Sequence, residues 1–100
     1  MSVVMILRVQ ADANALEQFG KNNADLLTGI ADAGRAAGAT RHLFAAGDGE
    51  VLVIDEWPDE ATFRGFFDNQ PDIPRVMQAA GAKGGPQISI YRKLDMPDEF

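Results

Sequence analysis

The segment Val51-Leu52-Val53-Ile54-Asp55-Glu56-Trp57-Pro58-Asp59-Glu60-Ala61-Thr62-Phe63 constrains this chain more than any other. Residues 51–54 are apolar without interruption, the pattern of a strand covered on both faces. Pro58 is pre-set for a first helical turn, where its missing N–H would find no partner anyway. Asp59 and Glu60 then place negative charge where the helix dipole favours it. The only tryptophan, Trp57, is thereby delivered to the seam between a strand and a helix, a position suited to a pocket wall.

Around this segment the periodicity predicts an ordered series of elements. Strand one covers Val3 to Gln10, and both of its faces begin apolar, so both need covering. A long helix is expected from Asp12 or Ala13 to Ala36, with Leu16, Phe19, Leu26, Leu27 and Ile30 on one side. Strand two covers Thr40 to Ala46, and Gly47-Asp48-Gly49 turns it into strand three as a hairpin. The second helix runs from Pro58 to Asp68, and a short one opened by Pro74 ends at Ala80. Residues 81–86 read as a flexible loop, strand four as Gln87 to Leu94, and the acidic stretch 95–100 as a terminal arm.

The resulting order is βαββαβ in a single domain of 100 residues, which predicts a ferredoxin-like α+β fold: a four-stranded antiparallel sheet with its helices on one face. An uncovered apolar sheet face would lie in water in a monomer, so a homodimer with sheets packed face to face is expected.

Composition removes several functions. A hydrophobic content of 46% supports a real core and is too high for a disordered segment. The net charge of −6 opposes binding to nucleic acid or to an anionic membrane surface. No cysteine is present, which excludes disulfides, thiolate metal sites and cysteine nucleophiles. Val3 to Leu7 is too short for a signal-peptide core, no stretch approaches a membrane span, and a cytoplasmic location is the default. Ser2 and Ser89 are the only serines, and neither sits in a GxSxG elbow. Neither a P-loop nor a dinucleotide-binding fingerprint is present.

An aliphatic strand ending in Glu56-Trp57, an acidic turn and an Ala61-x-Phe63 helix together resemble the antibiotic biosynthesis monooxygenase family. The likeness extends through residues 69–73 and 76–80. The resemblance implies a small dimeric α/β barrel and, for the reaction, a cofactor-independent monooxygenase acting on a small flat phenolic or anthrone-like compound. Its haem-degrading branch carries an axial histidine on the helix after the tryptophan and an asparagine in the first strand. Here Phe66-Phe67 occupy that helix and strand one has no asparagine, so haem is not expected, and no other cofactor or metal is.

The candidate site residues each have a plainer alternative. His42, the only histidine, is the obvious general base because imidazole titrates near neutrality. The plainer role, and the commoner one, is a partly buried residue bonded to a backbone carbonyl, or one at the sheet edge. Asn23 interrupts the apolar stripe of the long helix, either oriented toward a ligand or satisfied within the protein. Trp57, with Phe63 and Phe67, could form an aromatic wall against a flat substrate. For the phenylalanines, core packing at helical spacing is the plainer role. Tyr91 could donate to a developing phenolate and Arg92 could stabilise an anion, although adjacent residues on a strand face opposite ways. Two rivals to the monooxygenase reading stay open: an oxygen-independent isomerase or cyclase on the same fold, and a non-catalytic dimer that binds a small ligand or is purely structural. The last predicts a filled core and Asn23 bonded to backbone.

Overall fold

In the computed structural model, which describes residues 2–100, β1 (Val3–Gln10) is a central strand flanked on both sides. It pairs antiparallel with β3 (Glu50–Trp57) and with β4 (Lys83–Arg92), and β2 (Arg41–Gly47) closes the far edge in the order β2-β3-β1-β4. Gly49 supplies the positive φ of 72° that the tight turn between β2 and β3 requires. This is the ferredoxin-like α+β arrangement that the order of elements predicts.

Strand periodicity divides the sheet into two faces. Met5, Leu7 and Val9 of β1 and Val51 and Trp57 of β3 are buried with Phe63 of the helical layer. The alternate residues Val4, Ile6, Leu52 and Ile54 stay only partly covered. The core therefore lies on one side of the sheet.

Four helices among the described residues supply that core: α1 (Ala13–Asn22), α2 (Ala24–Ala37), α3 (Glu60–Asn69) and α4 (Asp72–Ala79). The single long helix expected over residues 13–36 is two. Asn23 leaves helical geometry (φ −134°, ψ 43°), and its side-chain Nδ2 donates to the Phe19 carbonyl at 3.0 Å. A side-chain donor that satisfies a terminal carbonyl lets one helix end and the next begin at another angle. At the far end of α2, Gly38 takes φ 128° and its N–H reaches the carbonyls of Gly34 and Arg35. A Cβ there would stand 3.0 Å from the Pro58 ring, so this close approach admits only glycine comfortably.

Two other boundaries differ from the sequence reading. Pro58 precedes the helix rather than opening it: Asp59 is the N-cap and accepts the Thr62 N–H at 2.7 Å. Proline's lack of an N–H is as harmless just outside a helix as in its first turn, so the two readings look alike in sequence. Residues 83–86, read as loop because of Gly84, Gly85 and Pro86, belong to β4. Their irregularity is absorbed where the register shifts between Arg8 and Gln10, and a bulge is where a strand tolerates glycine and proline. Leu94 falls beyond β4, and Lys93 ties the following arm back by pairing with both Glu56 and Glu99 at 2.7 Å. Among the described residues no helix is long and apolar enough to cross a membrane.

The Asp59 cap couples stability to pH. Hydrogen bonds from the Thr62 side chain and then its backbone N–H hold the Asp59 carboxyl below its ordinary value of 3.8. A depressed carboxylate contributes its stability fully above the ordinary value and loses it as pH falls through the folded one. Asparagine caps about as well but does not titrate in this range. Asp59→Asn should therefore match the parent near neutrality and lose less stability on acidification, as read from urea midpoints across an acid series.

Candidate active site

Beneath the helices the sheet and the helical layer do not meet everywhere, and a cavity of about 110 Å³ remains between them. Its floor is Met5 and Leu7 of β1 with Val53 and Trp57 of β3. Leu27, Ile30 and Gly34 of α2 form one wall, and Phe63, Phe66 and Phe67 of α3 another, with Ile73, Val76 and Met77 of α4 closing the end. His42 and Phe44, on the edge strand, are the lining residues that also reach solvent freely, so they mark the mouth.

The aromatic wall is an interlocked set. Trp57, only 2% exposed, packs edge-on against Phe63 at 5.8 Å between ring centres and tilted against Phe66 at 5.3 Å. Phe67 continues the series from Phe63 at 5.4 Å. Such offset and edge-on contacts suit the charge distribution of aromatic rings. Gly34 of α2 faces this wall: a Cβ there would stand 3.6 Å from Phe66 and 3.9 Å from Trp57, ordinary contact distances.

Polarity enters the cavity at one corner. Asp55 is 7% exposed, and each of its carboxylate oxygens has a partner. His42 Nδ1 lies 2.7 Å from Oδ1, and Trp57 Nε1–H donates to Oδ2 at 3.1 Å. The sheet dictates this cluster. His42 and Asp55 are directly opposed in the β2–β3 register, and Asp55 and Trp57, two residues apart, share a strand face. A carboxylate offers only lone pairs, so the imidazole nitrogen facing it carries the proton. Nε2 is then the ring's acceptor. The edge of the imidazole is steadied by Phe44, 5.2 Å away at an interplanar angle of 78°.

An imidazole with Nδ1–H fixed by a buried carboxylate and Nε2 available beside an apolar cavity can act as a general base. The carboxylate orients the ring and stabilises the imidazolium that forms. Among the described residues no three His, Cys, Asp or Glu side chains come together as a metal-ligand set.

The structure brings together His42, Trp57, Phe63 and Phe67 of the residues singled out from sequence. It does not bring in the other three. Asn23 is bonded to the backbone at the α1–α2 break and lies outside the lining. Tyr91 pairs with Val4 on the opposite sheet face and is half exposed. Arg92, opposite Val3, is exposed and also outside the lining. Asp55 is the functional candidate that sequence reasoning missed. Its signal was available: a turn pairing Gly47 with Glu50 places residue 42 opposite residue 55.

No protein-family model matches the chain, and no curated protein matches it. Solved structures match its fold over nearly their whole length. SnoaB of Streptomyces nogalater, described as a cofactor-independent oxygenase, superposes with a TM-score of 0.62 at 17% identity, covering 98% of each chain. A Deinococcus radiodurans protein provisionally named an antibiotic biosynthesis monooxygenase gives 0.64 at 16% identity, again over 98% of each. NE2512 of Nitrosomonas europaea, of unknown function, gives 0.63 at 20% identity over 99% of this chain and 95% of its own. The chain thus has the ferredoxin-like fold found in structures named antibiotic biosynthesis monooxygenases, in agreement with the strand-three resemblance.

The donor arrangement around Asp55 makes a spectroscopic prediction. In Asp55→Asn the amide can accept from only one of the two N–H groups, because its other terminus is itself a donor. With the Trp57 indole holding the oxygen, the amide NH₂ faces His42 and favours the tautomer protonated at Nε2. Side-chain nitrogen shifts in long-range ¹H–¹⁵N spectra should show His42 as the Nδ1–H form in the parent and as the Nε2–H form in the variant.

Proposed function

We propose that the chain is a cofactor-independent monooxygenase acting on a small flat phenolic or anthrone-like compound. The observation that carries this reading is the buried Asp55 carboxylate, which joins His42 and Trp57 at the one polar corner of an otherwise apolar cavity. The shared fold with SnoaB, described as a cofactor-independent oxygenase, supports the reaction class.

In the proposed mechanism His42 Nε2 removes the acidic proton of the bound substrate, and Asp55 offsets the charge of the imidazolium. The substrate anion, held among Trp57, Phe63 and Phe67 away from water, is electron-rich enough to reduce dioxygen. Oxygen adds at a ring carbon that carries hydrogen, and the imidazolium returns its proton to the peroxide. That carbon then loses its proton, the C–H electrons form the quinone C=O as the O–O bond breaks, and the departing hydroxide takes up the proton as water. For a phenol the balance is one dioxygen consumed, a quinone formed and one water released. All the electrons come from the substrate. Exclusion of solvent by the apolar walls protects the anion and strengthens the electrostatics around it.

Oxygen uptake by the purified protein with phenolic and anthrone substrates, without added metal, flavin or haem, tests this. His42→Gln keeps a polar side chain of similar reach and should lower the substrate-dependent rate by about 100-fold or more, the usual contribution of a positioned base. An unchanged rate in a folded His42→Gln protein would remove His42 from the mechanism. Substrate-dependent hydrogen exchange or isomerisation without oxygen uptake would favour the isomerase alternative instead, since the same base serves both.

We also propose that the chain works as a homodimer built on the open face of the sheet. Support comes from the apolar group Val4, Ile6, Leu43, Leu52 and Ile54 on that face, bordered by the Arg8–Glu50 and Glu56–Lys93 ion pairs. Such a patch is disfavoured in water without a partner. Sedimentation velocity should find the parent dimeric and Ile54→Lys monomeric, while a monomeric parent would be the contrary result.

A further inference from the structure

The cavity is selective in two respects that the proposed reaction does not require. Its volume of about 110 Å³ compares with about 150 Å³ for an engineered apolar cavity that holds one benzene. This space is on the scale of one ring. A three-ring molecule would have to part α2 from α3, which stand so close that a single Cβ added at Gly34 would lie 3.6 Å from the Phe66 ring.

The second respect is the supply of hydrogen-bonding groups. Only His42, Asp55 and Trp57 bring side-chain polar atoms to the lining. Both Asp55 oxygens are engaged, and the Trp57 N–H is one of the groups that engages them. His42 Nε2 is what remains for a ligand, and His42 stands at the mouth with 39% of its side chain exposed. A hydroxyl carried deeper would meet Leu7, Ile30, Phe67 or Met77 and lose its water without replacement, which is penalised.

We infer that the site takes a single-ring arene bearing one ionisable hydroxyl, bound with that hydroxyl at His42 and its apolar end inward. Polyhydroxylated rings and three-ring anthrones are discriminated against. The assignment rests on the proposed use of this cavity as the substrate site, and it narrows that site's substrate class. Selection comes from a missing partner in the interior rather than from an added contact: a second hydroxyl is rejected because nothing there can bond it.

Binding can be read apart from turnover because the chain has one tryptophan and its indole N–H sits at the site. The ¹⁵N-labelled protein is titrated under argon with para-cresol, hydroquinone and anthrone, following the Trp57 indole resonance. Para-cresol and hydroquinone differ by a methyl group against a hydroxyl of similar size. Para-cresol should shift the resonance saturably and bind at least tenfold more tightly than hydroquinone, and anthrone should give no saturable shift. Ala31→Phe, which adds a ring to the α2 side of the lining, should abolish para-cresol binding. Equal or tighter binding of hydroquinone, saturable binding of anthrone, no binding of para-cresol, or unchanged binding by a folded Ala31→Phe protein each overturns the inference. Para-cresol binding without oxygen uptake in air would defeat the monooxygenase reading and leave this one standing. Uptake with anthrone alone would do the reverse.

Discussion

Burying a carboxylate under a layer of helices is unfavourable unless its oxygens find donors, and Asp55 obtains both of its donors from the sheet that carries it. One comes from the opposed residue on the neighbouring strand, the other from the same face of its own strand two positions on. The first follows from the hairpin register set by the Gly47–Glu50 turn, the second from strand periodicity alone. The price of placing charge in the interior is therefore met by the most rigid part of the fold. His42 acquires a defined orientation and a defined tautomer as a consequence, and Trp57 is fixed by its nitrogen as well as by its area. Trp57 then sets the spacing of Phe63 and Phe66 above it, and these decide how closely α2 and α3 can approach the sheet.

The helical layer above the cavity is built of short pieces, none longer than 14 residues. Had residues 13–37 formed one straight helix, a single continuous stripe would have crossed the sheet. The break at Asn23 (φ −134°, ψ 43°) separates α1 from α2, and Gly38 ends α2 where Pro58 stands close by. The side chains that line the cavity are almost all apolar, with the solvent-reaching residues His42 and Phe44 at its mouth. A polar corner at the edge strand and a dry interior behind it are what a base needs in order to generate and protect a reactive anion.

The two sheet faces have distinct roles for the same geometric reason. Residues that alternate with Met5, Leu7, Asp55 and Trp57 cannot contribute to the cavity, whatever their chemistry. Tyr91 is chemically a good phenol partner and Arg92 a good anion partner, yet one is turned away by strand parity and the other lies at the exposed end of β4. Chemistry made them candidates, and position along the sheet removed them from the cavity.

Much of the fold was legible in the chain because it is written in local periodicity: β1, the hairpin at Gly47 to Glu50, the strand that ends at Trp57 and the phenylalanine-rich helix after it. Errors fell where one residue type permits two local outcomes, as with Pro58 beside a helix start, Gly84 and Pro86 in a bulge, and Asn23 at a break in what read as one long helix. His42 and Trp57 were visible as chemistry, and even the Asp55 partnership was implicit in the hairpin register. The sequence by itself determined which residues alternate, where charge is scarce and which side chains could act. Only the tertiary structure decided that the helices stop short of filling the space above Val53 and Trp57, because that depends on helix direction and on contacts between segments far apart in sequence. An unfilled volume is a property of the packing and of no residue within it.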